Sequence, residues 1–202
     1  MNIDDISIYL PKYLSPDSQS SLYDNLRSFP DNIDKRIYAS GLNYDIIYQG
    51  DGIKDLLVVD FLTREIKETK SSIIISNTCD IDTNNTRFVP NQILYAPIIK
   101  LEQYKNKLLS DTSIAIEKVN SHIESIIKQR ISNIFFLPRL NDDCEDSIVF
   151  LDRIFNVQNN YIDRDKLHQK RIFSLSNYGF YLFIFKLSLH YTRLHESVDR
   201  GS

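Results

Sequence analysis

Two short apolar runs, Ile73-Ile74-Ile75 and Ile93-Leu94-Tyr95, are each bounded by turn-forming residues. β-branched and aromatic runs of that length between polar breaks predict neighbouring buried strands. Between them lies SNTCDIDTNNT, the densest polar cluster of the chain. Further strand signals begin at Tyr44 in YDIIYQGDG, where Gly50 and Gly52 bracket an aspartate, and continue in Leu56–Phe61, Asn133–Leu137 and Ser147–Leu151. Helical spacing governs the rest. Ser15 and Pro16 suit the start of a helix whose Leu22, Leu26 and Phe29 share a face until Pro30. A second short helix is expected from Asp31 to Ser40, with Ile33 and Ile37 turned inward and Gly41 ending it. Leu101–Leu109 and Ile114–Ile131 read as an antiparallel helical pair broken near Ser110-Asp111. Ser176 caps a last helix in which Phe180–Tyr191 is apolar almost all round, so it is expected to be buried on more than one side.

The change of period from strand to helix and back between residues 93 and 151 places the helical pair inside a β core. The predicted class is therefore α+β. One domain over 1–200 comprises an N-terminal helical arm (1–42), a β barrel or sandwich (43–99 and 132–175), a helical insertion (100–131) and a closing helix (176–198).

Composition narrows the function classes. The 202 residues are 42% hydrophobic and 25% charged, well inside the range of chains that fold. A formal net charge of −3 supplies no global positive field, so any nucleic-acid contact has to use a local patch. The apolar run of the last helix is shorter than the ~20 residues that span a membrane, and Lys186 interrupts it, so no membrane partner is expected. MNIDDISIYLPKYL has no basic n-region, which points to the cytoplasm. Cys79 and Cys144 form no CxxC pair, and no cofactor or metal is expected from them.

Three stretches hold candidate chemistry. Asn77, Thr78, Cys79 and Asp80 abut a core strand and use neither Gly nor Pro, which suggests a ligand or partner groove; the alternative is that they satisfy their own loop. Asp80-x-Asp82-x-Asn84 copies the start of a calcium loop and then fails, with Asn85 in place of the turn glycine and Asn91 in place of the bidentate glutamate. Cys79 would need a base from His122, His168, His190 or His195, and a buried inert thiol is the ordinary reading. His190 and His195 are five apart and face different sides of a helix, which argues against a shared metal. The run TREIKETK is expected to be a solvated hairpin loop. Arg164, Lys166, Lys170 and Arg171, with His168 and with Arg153 on a predicted strand, form the best local basic patch for RNA, diluted by Asp163 and Asp165.

The order of several pieces resembles the MazF/PemK toxin family. QGD before DLLVVDF is similar to that family's opening element, and KSSIIIS followed by ILYAPII is similar to its second strand and its "AP-I" strand. DSIVFLDRIFNV, then RDKLHQKRIFSLS and a closing helix, resembles its later strand, connecting loop and final helix. The resemblance implies an SH3-like small barrel that dimerises, and in many members a metal-independent endoribonuclease. That activity relies on an Arg before the second strand and a Thr after the "AP-I" element; here they fall on or beside Lys70 and on Ile99. Lysine lacks the bidentate fork of arginine, and isoleucine neither donates nor accepts a proton. The expectation is a module without ribonuclease chemistry that binds a partner protein or nucleic acid in a bacterial stress, toxin–antitoxin or phage-defence system. The alternative is an active endoribonuclease with a rearranged site, for which Lys70 and Arg64 are the catalytic candidates.

Overall fold

The computed structural model describes residues 15–60, 62–142 and 144–192. Helix α1 (Pro16–Arg27) opens on Ser15, whose hydroxyl accepts from the Ser18 amide at 3.2 Å, with Pro16 at the first helical position. The second short helix expected after it is absent. Asp34 caps a single 3-10 turn at Lys35–Ile37, and the chain then enters β1 (Tyr38–Ala39), so the C-terminal part of the arm is a strand of the sheet.

Strands β2 (Gly52–Ile53), β3 (Leu57–Asp60), β4 (Glu65–Glu68), β5 (Ser72–Ile74) and β6 (Gln92–Lys100) follow. The middle of TREIKETK is thus strand: β4 pairs antiparallel with β3, Val59 opposite Ile66, and is exposed throughout. Tyr44–Gly50 is loop, because Asn43 closes an Asx turn on the Asp45 amide and Gly50, at φ +90, turns the chain into Asp51. Helices α2 (Leu101–Leu109) and α3 (Ile116–Ile127) form the insertion. Strands β7 (Ile134–Leu137), β8 (Ser147–Phe150) and β9 (Phe155–Gln158), short helix α4 (Leu167–Lys170), β10 (Arg171–Leu175) and α5 (Asn177–Thr192) complete the described chain.

All strand pairs are antiparallel. The large sheet runs β1-β10-β2-β5-β6-β8-β7 and curls strongly into a half-barrel, giving an α+β fold. The long strand β6 drives the curl. One edge pairs with β5 (Ile73 opposite Ala96, Ile74 opposite Tyr95), and the other pairs with β9 at its start and β8 at its end.

Apolar residues on successive positions face opposite sides, which is why the strands read as continuous apolar runs. Phe135, Leu137, Val149 and Leu151 join the central core under α1 and α5. Their neighbours Ile134, Phe136, Ile148 and Phe150 meet Val119, Ile123 and Ile126 of the insertion. A third cluster, with Ile53, Ile74, Ile93 and Tyr95, fills the space under the β2–β5–β9 end. Helix α5 packs closely on the turn before β1: a Cβ on Gly179 would stand 2.1 Å from the Ile37 carbonyl oxygen. The hydroxyl of Ser176 accepts from the Gly179 amide at 3.2 Å, which caps the helix there.

The insertion ends in a Schellman turn. The Arg130 amide donates to Ser125 O and the Gln129 amide to Ile126 O, with Gln129 at φ 56. Glycine is the usual residue here. Glutamine stands in its place because its buried side-chain amide closes the edge of β7, donating to Phe136 O at 2.7 Å and accepting from Phe136 N at 3.1 Å.

A candidate cleft between the insertion and the sheet

Helix α2 grows directly from β6 without a loop. The Leu101 amide donates to Asp146 O at 2.9 Å, and Lys100 pairs with Glu145 at 2.8 Å, so the first turn of α2 is anchored to the turn before β8. One turn further on, Tyr104 stands over the end of the sheet, edge-on to Phe150 with ring centroids 5.5 Å apart. Its hydroxyl meets His122 Nε2 of α3 at 3.0 Å. Burial pushes the Tyr104 phenol up, and the nearby Arg153 charge pulls it back. The Arg153 guanidinium lies 4.1 Å over the Phe150 ring.

Tyr104, Phe150 and Arg153 line a cleft of about 520 Å³ with Ile99, Lys107, Asp111 and Ile114, and His122 stands behind Tyr104. Lys107 and Arg153 are exposed, and among the described residues neither has a carboxylate at salt-bridge distance. The acid in the cleft wall, Asp111, accepts at Oδ1 from the Ser113 amide at 3.0 Å and the Ser113 hydroxyl at 2.6 Å, which holds its carboxyl below the usual range and keeps it anionic, so the two cations outnumber it. Two free cations beside a tyrosine and a phenylalanine match an anionic strand with flat rings.

Of the two positions singled out by family resemblance, Ile99 lines this cleft and packs with the insertion cluster. Lys70 is exposed in the bend before β5, whose paired register with β6 begins at Ser72 opposite Pro97. Arg64 is exposed in the β3–β4 turn at φ 58. No protein-family model matches the chain, and no curated protein matches its sequence.

The other candidates are distributed differently. Asn77 Oδ1 accepts from the Cys79 amide at 2.9 Å, Thr78 Oγ1 accepts from the Gln49 amide at 3.0 Å, and Asp80 pairs with Arg87. The polar groups of this stretch thus tie their own loop and its neighbour, and Cys79 is exposed. Arg164 is half-buried and donates to Ile162 O at 2.9 Å, Ile81 O at 3.2 Å and Asn159 Oδ1 at 2.6 Å, clamping the 77–91 loop to the 159–164 turn. Lys166 pairs with Asp163 at 3.3 Å. Arg171 points inward: its side chain is 7% exposed, with Nε 3.0 Å from Asp51 Oδ2. Only Arg153 of the predicted patch reaches the cleft, while Lys170 and His168 lie by the short helix α4.

Tyr104, Lys107 and the His122 partnership were not singled out from the sequence. The signal was present in the amphipathic spacing of Leu101, Tyr104 and Leu108, but without the β6–β8 register nothing aims that face at Ile99 and Arg153. Among the described residues no group of three His, Cys, Asp or Glu stands close enough to hold a metal. No helix there is long and apolar enough to cross a membrane, and His195 lies outside the described residues.

Proposed function

We propose that this chain is a MazF/PemK-like module on an SH3-like barrel that binds single-stranded nucleic acid, without cutting it, in the cleft between its helical insertion and its sheet. The setting would be a bacterial stress, toxin–antitoxin or phage-defence system. The observation that carries the reading is the pairing of unpaired Lys107 and Arg153 with Tyr104 and Phe150 around Ile99. Phosphates take the cations and a base stacks beside Tyr104, since the Arg153 guanidinium already covers the buried Phe150 ring, while isoleucine at the Thr position gives no proton transfer. Incubating the protein with long single-stranded RNA in chelator and mapping ends tests the silent part of the proposal. Intact RNA is expected, and cuts at reproducible positions overturn it.

The second reading is a rearranged endoribonuclease, and the Tyr104–His122 pair favours it. An imidazole 3.0 Å from a phenol at the edge of a cationic cleft has the parts for acid–base work. Cleavage lost in both His122→Ala and Lys70→Ala, with unchanged melting, would establish it. Dimerisation is a separate part of the proposal. Leu62 and Ile66 stay exposed on the hairpin, and Phe88 and Val89 on the polar loop, apolar side chains for a second copy or a partner protein to cover. Light scattering of wild type against Ile66→Lys checks it, with a mass decrease expected in the variant.

A further inference from the structure

Helix α5 carries a lysine at a buried position. Lys186 is 3% exposed, next to the core residues Phe183 and Leu187. Its Nζ donates to Gln129 O at 2.9 Å and Ile131 O at 2.5 Å, in the turn that follows α3. Those carbonyls are not the open end of the helix, since the Schellman turn already uses Ser125 O and Ile126 O. An ammonium has three protons, so one remains, and among the described residues no carboxylate pairs with it. Burial alone pushes its amine down to about 8, as expected for a cation held out of water without a counter-ion.

A groove of about 430 Å³ opens beside it. Phe29, Pro30, Phe185 and Leu189 make its walls, and Phe185 is 62% exposed, so among the described residues nothing covers the apolar face. Lys128 and Arg130 share the groove; Lys128 pairs with Glu124 at 2.7 Å, and Arg130 has no ion-pair partner among the described residues. A small groove, mostly apolar, with two unmatched cations is complementary to a compact monoanion on an apolar body.

We propose that this groove binds a small apolar carboxylate, its chain against Phe29, Phe185 and Leu189 and its carboxylate between Lys186 and Arg130. The site is separate from the nucleic-acid cleft, and either can fail alone. Calorimetric titration of the full chain with decanoate, and with decanol and decyltrimethylammonium as comparators, tests it. Decanoate should saturate one site, with decanol at least tenfold weaker and the cationic surfactant silent. Phe185→Glu, a surface change, should weaken decanoate at least tenfold with the melting temperature kept; Lys186→Met should do the same if it folds. Absent saturation, equal binding of decanol, or unchanged binding in Phe185→Glu overturns the proposal. So does a chain that sediments as a dimer and becomes monomeric in Phe185→Glu, since a second copy would then fill the groove.

Discussion

Replacing Arg171 by methionine separates two roles for this residue, phosphate contact and internal clamp. Asp51, 0% exposed, accepts from Ser174 Oγ at 2.5 Å and from the Tyr48 amide at 2.9 Å. The guanidinium beside it donates to Asn43 O at 2.8 Å and to Ile46 O, and so pins the whole 43–51 loop to β10. The Nε proton is not aimed at the carboxylate although the atoms are 3.0 Å apart, so that pair is held by charge. Removing one partner of a buried pair costs about 3–5 kcal/mol because the other charge stays behind. At about 2–4 °C per kcal/mol for a chain of this size, the melting temperature should fall by roughly 6–20 °C. The sign with pH is defined. Burial raises the Asp51 carboxyl, against smaller lowering by Ser174, Tyr48 and Arg171. A carboxyl raised on folding stabilises fully below its unfolded value and loses that contribution as pH climbs through its folded value. Without Arg171 it rises further, so the penalty measured by urea unfolding should be larger at pH 8 than at pH 5. A variant that melts like wild type at both pH values but binds RNA less well would refute the clamp.

Gly179→Ala should destabilise by on the order of 3 kcal/mol, read by denaturant melts, because its methyl would meet the Ile37 carbonyl; an unchanged midpoint would show that α5 sits farther from the turn. Gln129→Ala should cost about 2 kcal/mol through the unpaired Phe136 amide and carbonyl, and Gln129→Gly should cost no more than that despite losing the same bonds, since glycine relieves the positive φ. The Lys186 amine is lowered on folding, so its contribution is present above the unfolded value and lost as pH falls through about 8. The stability of wild type relative to Lys186→Met should therefore grow by on the order of 2 kcal/mol between pH 7 and pH 10.5, with Lys128 and Arg130 as the neighbouring charges in both proteins.

Strong periodicity carried most of the fold. The Ile73 and Ile93 runs, the helical pair and the two apolar runs at Ile134 and Ile148 all stand where their patterns put them, because each buries a face whose spacing is written in consecutive residues. Strands β1, β2, β9 and β10 were harder to see. They are two to five residues long and half-exposed in part, and β10 follows a basic run whose last member turns inward to meet Asp51. Mixed charge likewise hid β4, which has Ile66 as its one apolar residue against three in its partner β3. The site was less legible than the fold. Charge counting gathers Arg153, Arg164, Lys166, Lys170 and Arg171 into one patch, whereas burial consumes Arg164 and Arg171 in backbone contacts. The cleft depends on Ile99, Tyr104, Phe150 and Arg153 coming together across the β6–β8 pairing, and such a juxtaposition exists only once the register does.

A cleft that holds a single strand without cutting it has a direct signature in binding and integrity read together. Fluorescence anisotropy of a labelled single-stranded RNA, titrated with wild type and with Lys107→Ala/Arg153→Ala over a range of salt, measures this directly when the same samples are run on a denaturing gel. Each lost phosphate contact lowers the salt slope by about 0.7 for a single strand, so the double variant should lose on the order of 1.4 in slope while the RNA stays intact. RNA that is not bound, that binds both proteins with the same slope, or that is cleaved would contradict the assignment.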